Sequence, residues 1–342
     1  MPEFMRCGRF SRPYLLAYPH QSDSATNPGT SVMSDTMRPP FESPVMPVQY
    51  QGNHTFNFRC YKGIGCFNAC CKSIDITLTP YDILRLKKRL GIASAEFLRR
   101  YTFPYEMEKD GLAGVKLLPV EGTTQCQFMT DEGCSVYEDR PTACRYYPVA
   151  LLSMRKQDEY IDTNSYAIVQ EAHCLGHNEE RSLTIDEYRS EQGVDEYDEL
   201  ARGWRQLILK KKSLGPAIGK PSKRSLQLFF LVCYNLDDFR AMTMSEGFRE
   251  GYELSAEEWT RLETDDVELM QFGFRLLKQV LFGEVTIPVR ADVAERRQAK
   301  LRAQWAAEEA VAAERRKQQE DVYDAVFDEG CDTSAGGCGG ND

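Results

Sequence analysis

Eight cysteines lie between Cys60 and Cys174, and four of them fall within twelve residues; this constrains the chain more than any other feature. The spacing is Cys60-x5-Cys66-x3-Cys70-Cys71, then Cys126, Cys134 and Cys144 at intervals of eight and ten, then Cys174. Short loops lose little entropy on closing, so sulfurs spaced this tightly converge readily. A metal site needs several deprotonated sulfurs within bonding distance, about 2.3 Å for zinc. All eight, Cys60, Cys66, Cys70, Cys71, Cys126, Cys134, Cys144 and Cys174, are therefore candidate metal ligands. Gly63 and Gly65 supply the backbone freedom to turn sulfurs inward. Cys66 and Cys70 share a face if their segment is helical. Adjacent Cys70 and Cys71 point apart in regular structure, which suits two metals, or one metal and a neighbouring cluster. A disulfide network is the rival reading, and it requires an oxidising compartment.

Charge sharpens the question. Eight thiolates around two divalent ions leave about −4 by simple counting. Arg59, Lys62, Lys72, Arg140 and Arg145 stand near the cysteines in sequence and are candidates to offset it by donating to sulfur. An iron–sulfur cluster needs similar donors. His173 and His177 flank Cys174 and are alternative ligands. Pro141 and Pro148 restrict the backbone around Cys144. Tyr137 and Tyr146 are placed to shield thiolates from water, and Arg140 to bond a sulfur or a carboxylate such as Glu138, or to form an ordinary salt bridge. Cys233, within an apolar run, reads as an inert core residue, and Cys7 as a cysteine in a disordered segment.

With 42% hydrophobic residues in 342, the chain can bury a real core. A net charge of −10 argues against a general nucleic-acid surface. Met1 to Phe10 shows no signal-type apolar stretch, and no segment approaches the roughly 20 apolar residues of a membrane span. The expected setting is a reducing cytoplasm, where clustered thiols favour metal over disulfides.

The expected fold is mainly α, with a small irregular α+β, cysteine-rich, metal-organised domain, a helical C-terminal region and a long terminal helix. Residues 1–52, rich in Pro, Ser, Met and Asn, read as disordered, with Met5, Met33 and Met46 as alternative starts. Residues 53–180 form the cysteine domain. Within it Thr79-Pro80-Tyr81-Asp82 starts a helix that Gly91 ends, and Ser94 caps another through Arg100. Val115–Val120 and Tyr160–Thr163 read as strands. Residues 181–290 read as helical, with capping boxes at Thr184–Glu187 and Ser255–Glu258 and packing helices over Tyr197–Lys212, Ser225–Met242 and Val267–Phe282. Residues 291–329 form one long helix. Its apolar Leu301, Trp305 and Val311 do not sustain a heptad, so a solvated helix is expected rather than a coiled coil. The Gly-rich tail 330–342 carries Cys331 and Cys338, readable as a metal-handling pair or as a plain disordered end.

Two blocks of residues carry a resemblance. Phe58-Arg59-Cys60 through Cys70-Cys71, followed by Leu78 to Ile83, resembles the YkgJ-like cysteine-cluster family, a CxxCxxCC-type zinc- or iron-chelating domain. Cys126-Gln127-Phe128, Gly133-Cys134 through Arg140-Pro141, and Cys144-Arg145-Tyr146-Tyr147-Pro148 extend it over about Phe56 to Gly176. The spacing of the first block is longer than the family name implies. The resemblance implies chelation of zinc or iron, with an iron–sulfur cluster as one form.

Three functions compete. The first is a non-enzymatic metal-chelating protein whose helical region serves as scaffold or as a surface for a protein partner. It is favoured because the chain has no phosphate loop, nucleophile elbow, GxGxxG fingerprint or HExxH pair. The second is an iron–sulfur enzyme of methyl transfer or redox, since the flagellin lysine methylases are similar in carrying a related cysteine cluster. The third is a metallochaperone using Cys331 and Cys338.

Overall fold

The structure is a computed structural model and describes residues 48–107, 111–154, 163–214 and 221–328. It is mainly α with a few small antiparallel sheets. Among the described residues no helix is long and apolar enough to cross a membrane.

Strand β1 (Thr55–Asn57) leads into the cysteine segment and pairs antiparallel with the distant β9 (Ser182–Thr184), Phe56 opposite Leu183. A three-stranded sheet has the order β2 (Thr77–Leu78), β4 (Ala113–Leu117), β3 (Thr102–Glu106). Strand β4 starts and ends earlier than the sequence suggests: its ladder runs out at Leu117, and Pro119 instead forms an isolated bridge with Cys126. A two-stranded turn joins β5 (Met129–Thr130) to β6 (Gly133–Cys134), and β7 (Val149–Met154) pairs with β8 (Thr163–Ile168). The expected strand at Tyr160–Thr163 meets β8 only at Thr163, and residues 160–162 lie outside the described residues.

Local sequence explains several helix ends. In α1 (Pro80–Leu90) the Thr79 hydroxyl accepts from Asp82 N while the Asp82 carboxylate accepts from Thr79 N, and Gly91 closes the helix at φ 65°. The same reciprocal cap starts α4 (Ile185–Glu191) at Thr184 and α9 (Ala256–Thr264) at Ser255. Ser94 corrects the expectation: it is the first residue of α2 (Ser94–Tyr101) and caps nothing. Its backbone N–H donates at 2.6 Å to Asp237, so a carboxylate from far along the chain supplies the cap.

The run Ser225–Met242 is likewise two helices, α6 (Lys223–Tyr234) and α7 (Leu236–Met244). Asn235 breaks it with ψ 69°, and its side chain donates to Asp238 at 2.6 Å. With α5 (Val194–Leu214) and α10 (Asp266–Phe282), these helices bury Trp204, Phe229, Phe239, Leu269 and Phe274. Each such side chain contributes about 1.5–3 kcal/mol. The same apolar cluster takes in Leu78, Leu86, Phe97, Phe128 and Val136, so the cysteine segment and the helices share a core. A smaller cluster gathers Phe56, Phe58, Tyr146, Tyr166, Leu183 and Tyr188. Cys126 and Cys134 pack on the first cluster and Cys174 on the second. Two further helices, α3 (Thr142–Tyr146) and α8 (Glu246–Arg249), are short. The last, α11 (Ala291–Asp328), is long, and Trp305 and Val311 on it are exposed.

Candidate metal centre

The segment from Cys60 to Cys71 is a succession of tight turns, not an α-helix. Phe67 N donates to Ile64 O, Ala69 N to Cys66 O and Cys71 N to Asn68 O, each a three-residue return. Cys66 and Cys70 therefore do not share an α-helical face. Asn68 takes a left-handed conformation (φ 65°), and its side chain donates at 2.9 Å to Thr130 O, pinning the turn to β5. Cys126 N donates at 2.8 Å to Cys71 O, which brings the second block of cysteines to the first. On the other side Phe58 N bonds Arg181 O and Arg59 N bonds Gly176 O, which sets Cys60 beside the Cys174 turn. A Cβ at Gly176 would stand 2.7 Å from the Phe58 ring and 3.0 Å from Arg59 O, so only glycine permits that approach.

Electrostatics shows which thiols are neighbours. Burial pushes the Cys60 thiol up to about 11, helped by Cys70, Cys66 and Cys174. Cys60 is exposed as a residue, so this burial is that of its sulfur among its neighbours. The adjacent Cys71 thiol draws Cys70 down to about 7, while Cys70 and burial raise Cys71, which Cys126 and Cys144 also raise. Cys144 is driven up first by burial, then by Cys126, Cys134 and Asp82. Burial also raises Cys126 and Cys134, and each carries a further contribution from Cys70. Cys70 acts on thiols of both blocks: on Cys60, which Cys66 and Cys174 also raise, and on Cys71, Cys126, Cys134 and Cys144.

Sulfur is served mainly by the backbone. Leu175 N donates to Cys66 Sγ at 3.3 Å and Phe128 N to Cys126 Sγ at 3.5 Å. Four of the five basic side chains expected in that role, all but Lys72, are engaged elsewhere. Lys62 pairs with Glu132, and Arg59 lies over the Tyr61 ring. Arg140 donates to Tyr137 O and Gln192 Oε1, both at 2.7 Å, rather than to Glu138 or a sulfur. It acts on Cys134 only through its charge, which lowers that thiol. Arg145 donates to Arg140 O, Gln192 O, Tyr197 Oη and Glu138 O. The two arginines thus lock the Cys144 turn onto the start of α5. Tyr146 is buried and donates to Asp198, whereas Tyr137 is 53% exposed, with the Arg140 guanidinium over its ring.

Asp82 reaches the site as well. Its second carboxylate oxygen accepts from Thr142 N at 2.8 Å and Thr142 Oγ1 at 2.7 Å, capping α3, the helix that carries Cys144. From sequence Glu171 had no place at the site, and Tyr147 a place in the second block but no role. Glu171 raises Cys70, and with Cys174 it raises Tyr147, on top of burial. The Tyr147 hydroxyl is buried against them with no hydrogen-bond partner of ordinary geometry. Their only signal is proximity in sequence to Cys174 and Cys144. His177 is engaged with Val169 O at 3.0 Å and packs on Phe58, while His173 lies 3.5 Å from Glu171 at the surface. Cys233 is buried in the helical core, away from these groups. Cys7, Cys331 and Cys338 lie outside the described residues.

The donor set fits a soft metal in kind: thiols from both cysteine blocks, with backbone N–H groups donating to sulfur. The spacing is not closed, since among the described residues no three Cys, His, Asp or Glu side chains stand in metal-holding geometry. Holding an ion requires the sulfurs to draw together.

Residues 59–191 match the CxxCxxCC family model, described as "Putative zinc- or iron-chelating domain". The match spans just under two-fifths of the chain. It runs beyond Gly176 to the end of α4, so it includes β9, the strand that pairs with β1. No curated protein and no solved structure matches the chain.

Proposed function

We propose that the domain chelates two ions of zinc or iron, one through Cys60, Cys66, Cys70 and Cys174 and one through Cys71, Cys126, Cys134 and Cys144. The observation that carries this reading is the drawing of both later cysteine segments onto the Cys60–Cys71 turns, Cys126 N onto Cys71 O and Leu175 N onto Cys66 Sγ. Metal supplies the positive charge that lets neighbouring thiols ionise together. The protein's part is to hold the sulfurs in place. Arg140 and Arg145 fix the Cys144 turn, Asp82 caps its helix, and Gly176 lets the Cys60 strand lie against Cys174. The role is non-enzymatic binding, structural or for storage.

Protein purified anaerobically should contain about two metal ions per chain by elemental analysis. Cys60→Ser and Cys144→Ser should each lose one and keep the other. A visible band that bleaches with dithionite would assign the metal as iron. Metal-free wild-type protein, or full metal content in both variants, would overturn the reading.

A further inference from the structure

Helix α11 runs unbroken from Ala291 to Asp328, about 57 Å at 1.5 Å per residue. Its described side chains between Arg302 and Gln319 are all exposed, Trp305 at 65%. Hydrogen bonds from Arg296 and Arg316 return to the helix itself. Helices in proteins draw most of their stability from packing an apolar face, and the described side chains of this stretch pack none.

Its charges are ordered about Ala312. Glu308 and Arg316 stand four residues to either side, and Glu309 and Arg315 three. Further out in the sequence, Lys300 is matched by Asp324 at twelve residues and Arg296 by Asp328 at sixteen. All four matched pairs are of opposite sign, and no two helix residues equidistant from Ala312 carry like charge. Positions three, four and seven from Ala312 share its face, which therefore carries both glutamates, both arginines and Trp305. Within one helix these charges go largely unanswered. Glu308 and Glu309 have no basic residue three or four positions away, and Arg315 no acidic one.

We propose that α11 pairs with α11 of a second copy of this chain, antiparallel, with the two-fold axis beside Ala312. A two-fold contact presents the same patch from both chains, and inverted charge order is what makes such a patch self-complementary. Glu308 then meets the partner's Arg316 and Glu309 the partner's Arg315, each contact occurring twice. Ala312 at the crossing lets the axes approach closely. Trp305 covers the stem of the partner's Gln319. Charge dominates the seam, so the pairing weakens as salt rises.

Sedimentation of the full chain, metal-loaded and reduced, tests this. Wild-type protein should dimerise at low salt and dissociate progressively as salt is added. Glu308→Arg/Glu309→Arg and Arg315→Glu/Arg316→Glu should each weaken the dimer by roughly 30-fold or more, from four contacts reversed. An equal mixture of the two variants should restore it, because one chain then offers four positive groups and the other four negative. This restoration also shows that both variants remain folded. A photo-crosslinker in place of Trp305 should label the partner around Gln319. Monomeric wild-type protein, undiminished dimer in either variant, failure of the mixture, or a crosslink to the partner's own residue 305 region would each overturn the proposal.

Discussion

Replacing Asp82 tests whether a single buried carboxylate ties the first helix of the domain to the turn that carries Cys144. Asp82 is fully buried and accepts three hydrogen bonds, from Thr79 N, Thr142 N and Thr142 Oγ1. Asp82→Ala strands two buried backbone donors, Thr79 N and Thr142 N, at about 1–3 kcal/mol each, the first of these being the carboxylate's half of the capping box. Relief of the buried charge returns part of this, since burial raises the Asp82 carboxyl and so disfavours its ionised form. A net loss of about 3–4 kcal/mol is expected, a large share of the roughly 5–15 kcal/mol of a typical domain. Thr142→Val removes only the hydroxyl and should cost about 1 kcal/mol. Because the two residues share one interaction, the double variant should lose less than the sum of the singles. Urea unfolding of reduced protein gives all three values. A loss under about 1 kcal/mol for Asp82→Ala, or full additivity in the double variant, would refute the reasoning.

Three further outcomes are expected. In metal-free reduced protein, alkylation of Cys70 should rise through pH of about 7, because its lowered pKa keeps the thiolate populated down to there, whereas Cys60 should stay unreactive until near 11; peptide mass spectrometry would contradict this if the two profiles coincide. Gly176→Ala should cost about 1–3 kcal/mol and weaken metal retention against a competing chelator, because the added methyl pushes Phe58 and Arg59 away from the Cys174 turn; unchanged retention would remove that contact from the argument. Cys233→Ser should lower stability by about 1–3 kcal/mol through a buried hydroxyl while leaving metal content intact, and loss of metal there would mean that the ligand sets are wrongly drawn.

Features that depend on near neighbours were legible from the residues. The caps at Thr79, Thr184 and Ser255 join groups three residues apart, and the Gly91 stop needs only its own backbone angle. The two cysteine blocks likewise pointed to a chelating domain, and residues 59–191 match one. Reading failed wherever a partner came from far away. Ser94 looked like a cap because the carboxylate that occupies its N–H belongs to Asp237. Arg140 and Arg145 looked like sulfur donors because nothing local shows that Gln192 and Tyr197 will meet them.

The sequence by itself therefore determined the chemistry on offer: many thiols, little histidine, and helices whose ends are set by short-range hydrogen bonds. Only the tertiary structure decided which thiols are neighbours. Cys60 meets Cys174 because β1 pairs with β9, and Cys71 meets Cys126 through a backbone bond between turns. Both contacts are backbone bonds between segments far apart in the chain, and which distant groups pair is decided by the fold as a whole, not by the spacing of the cysteines.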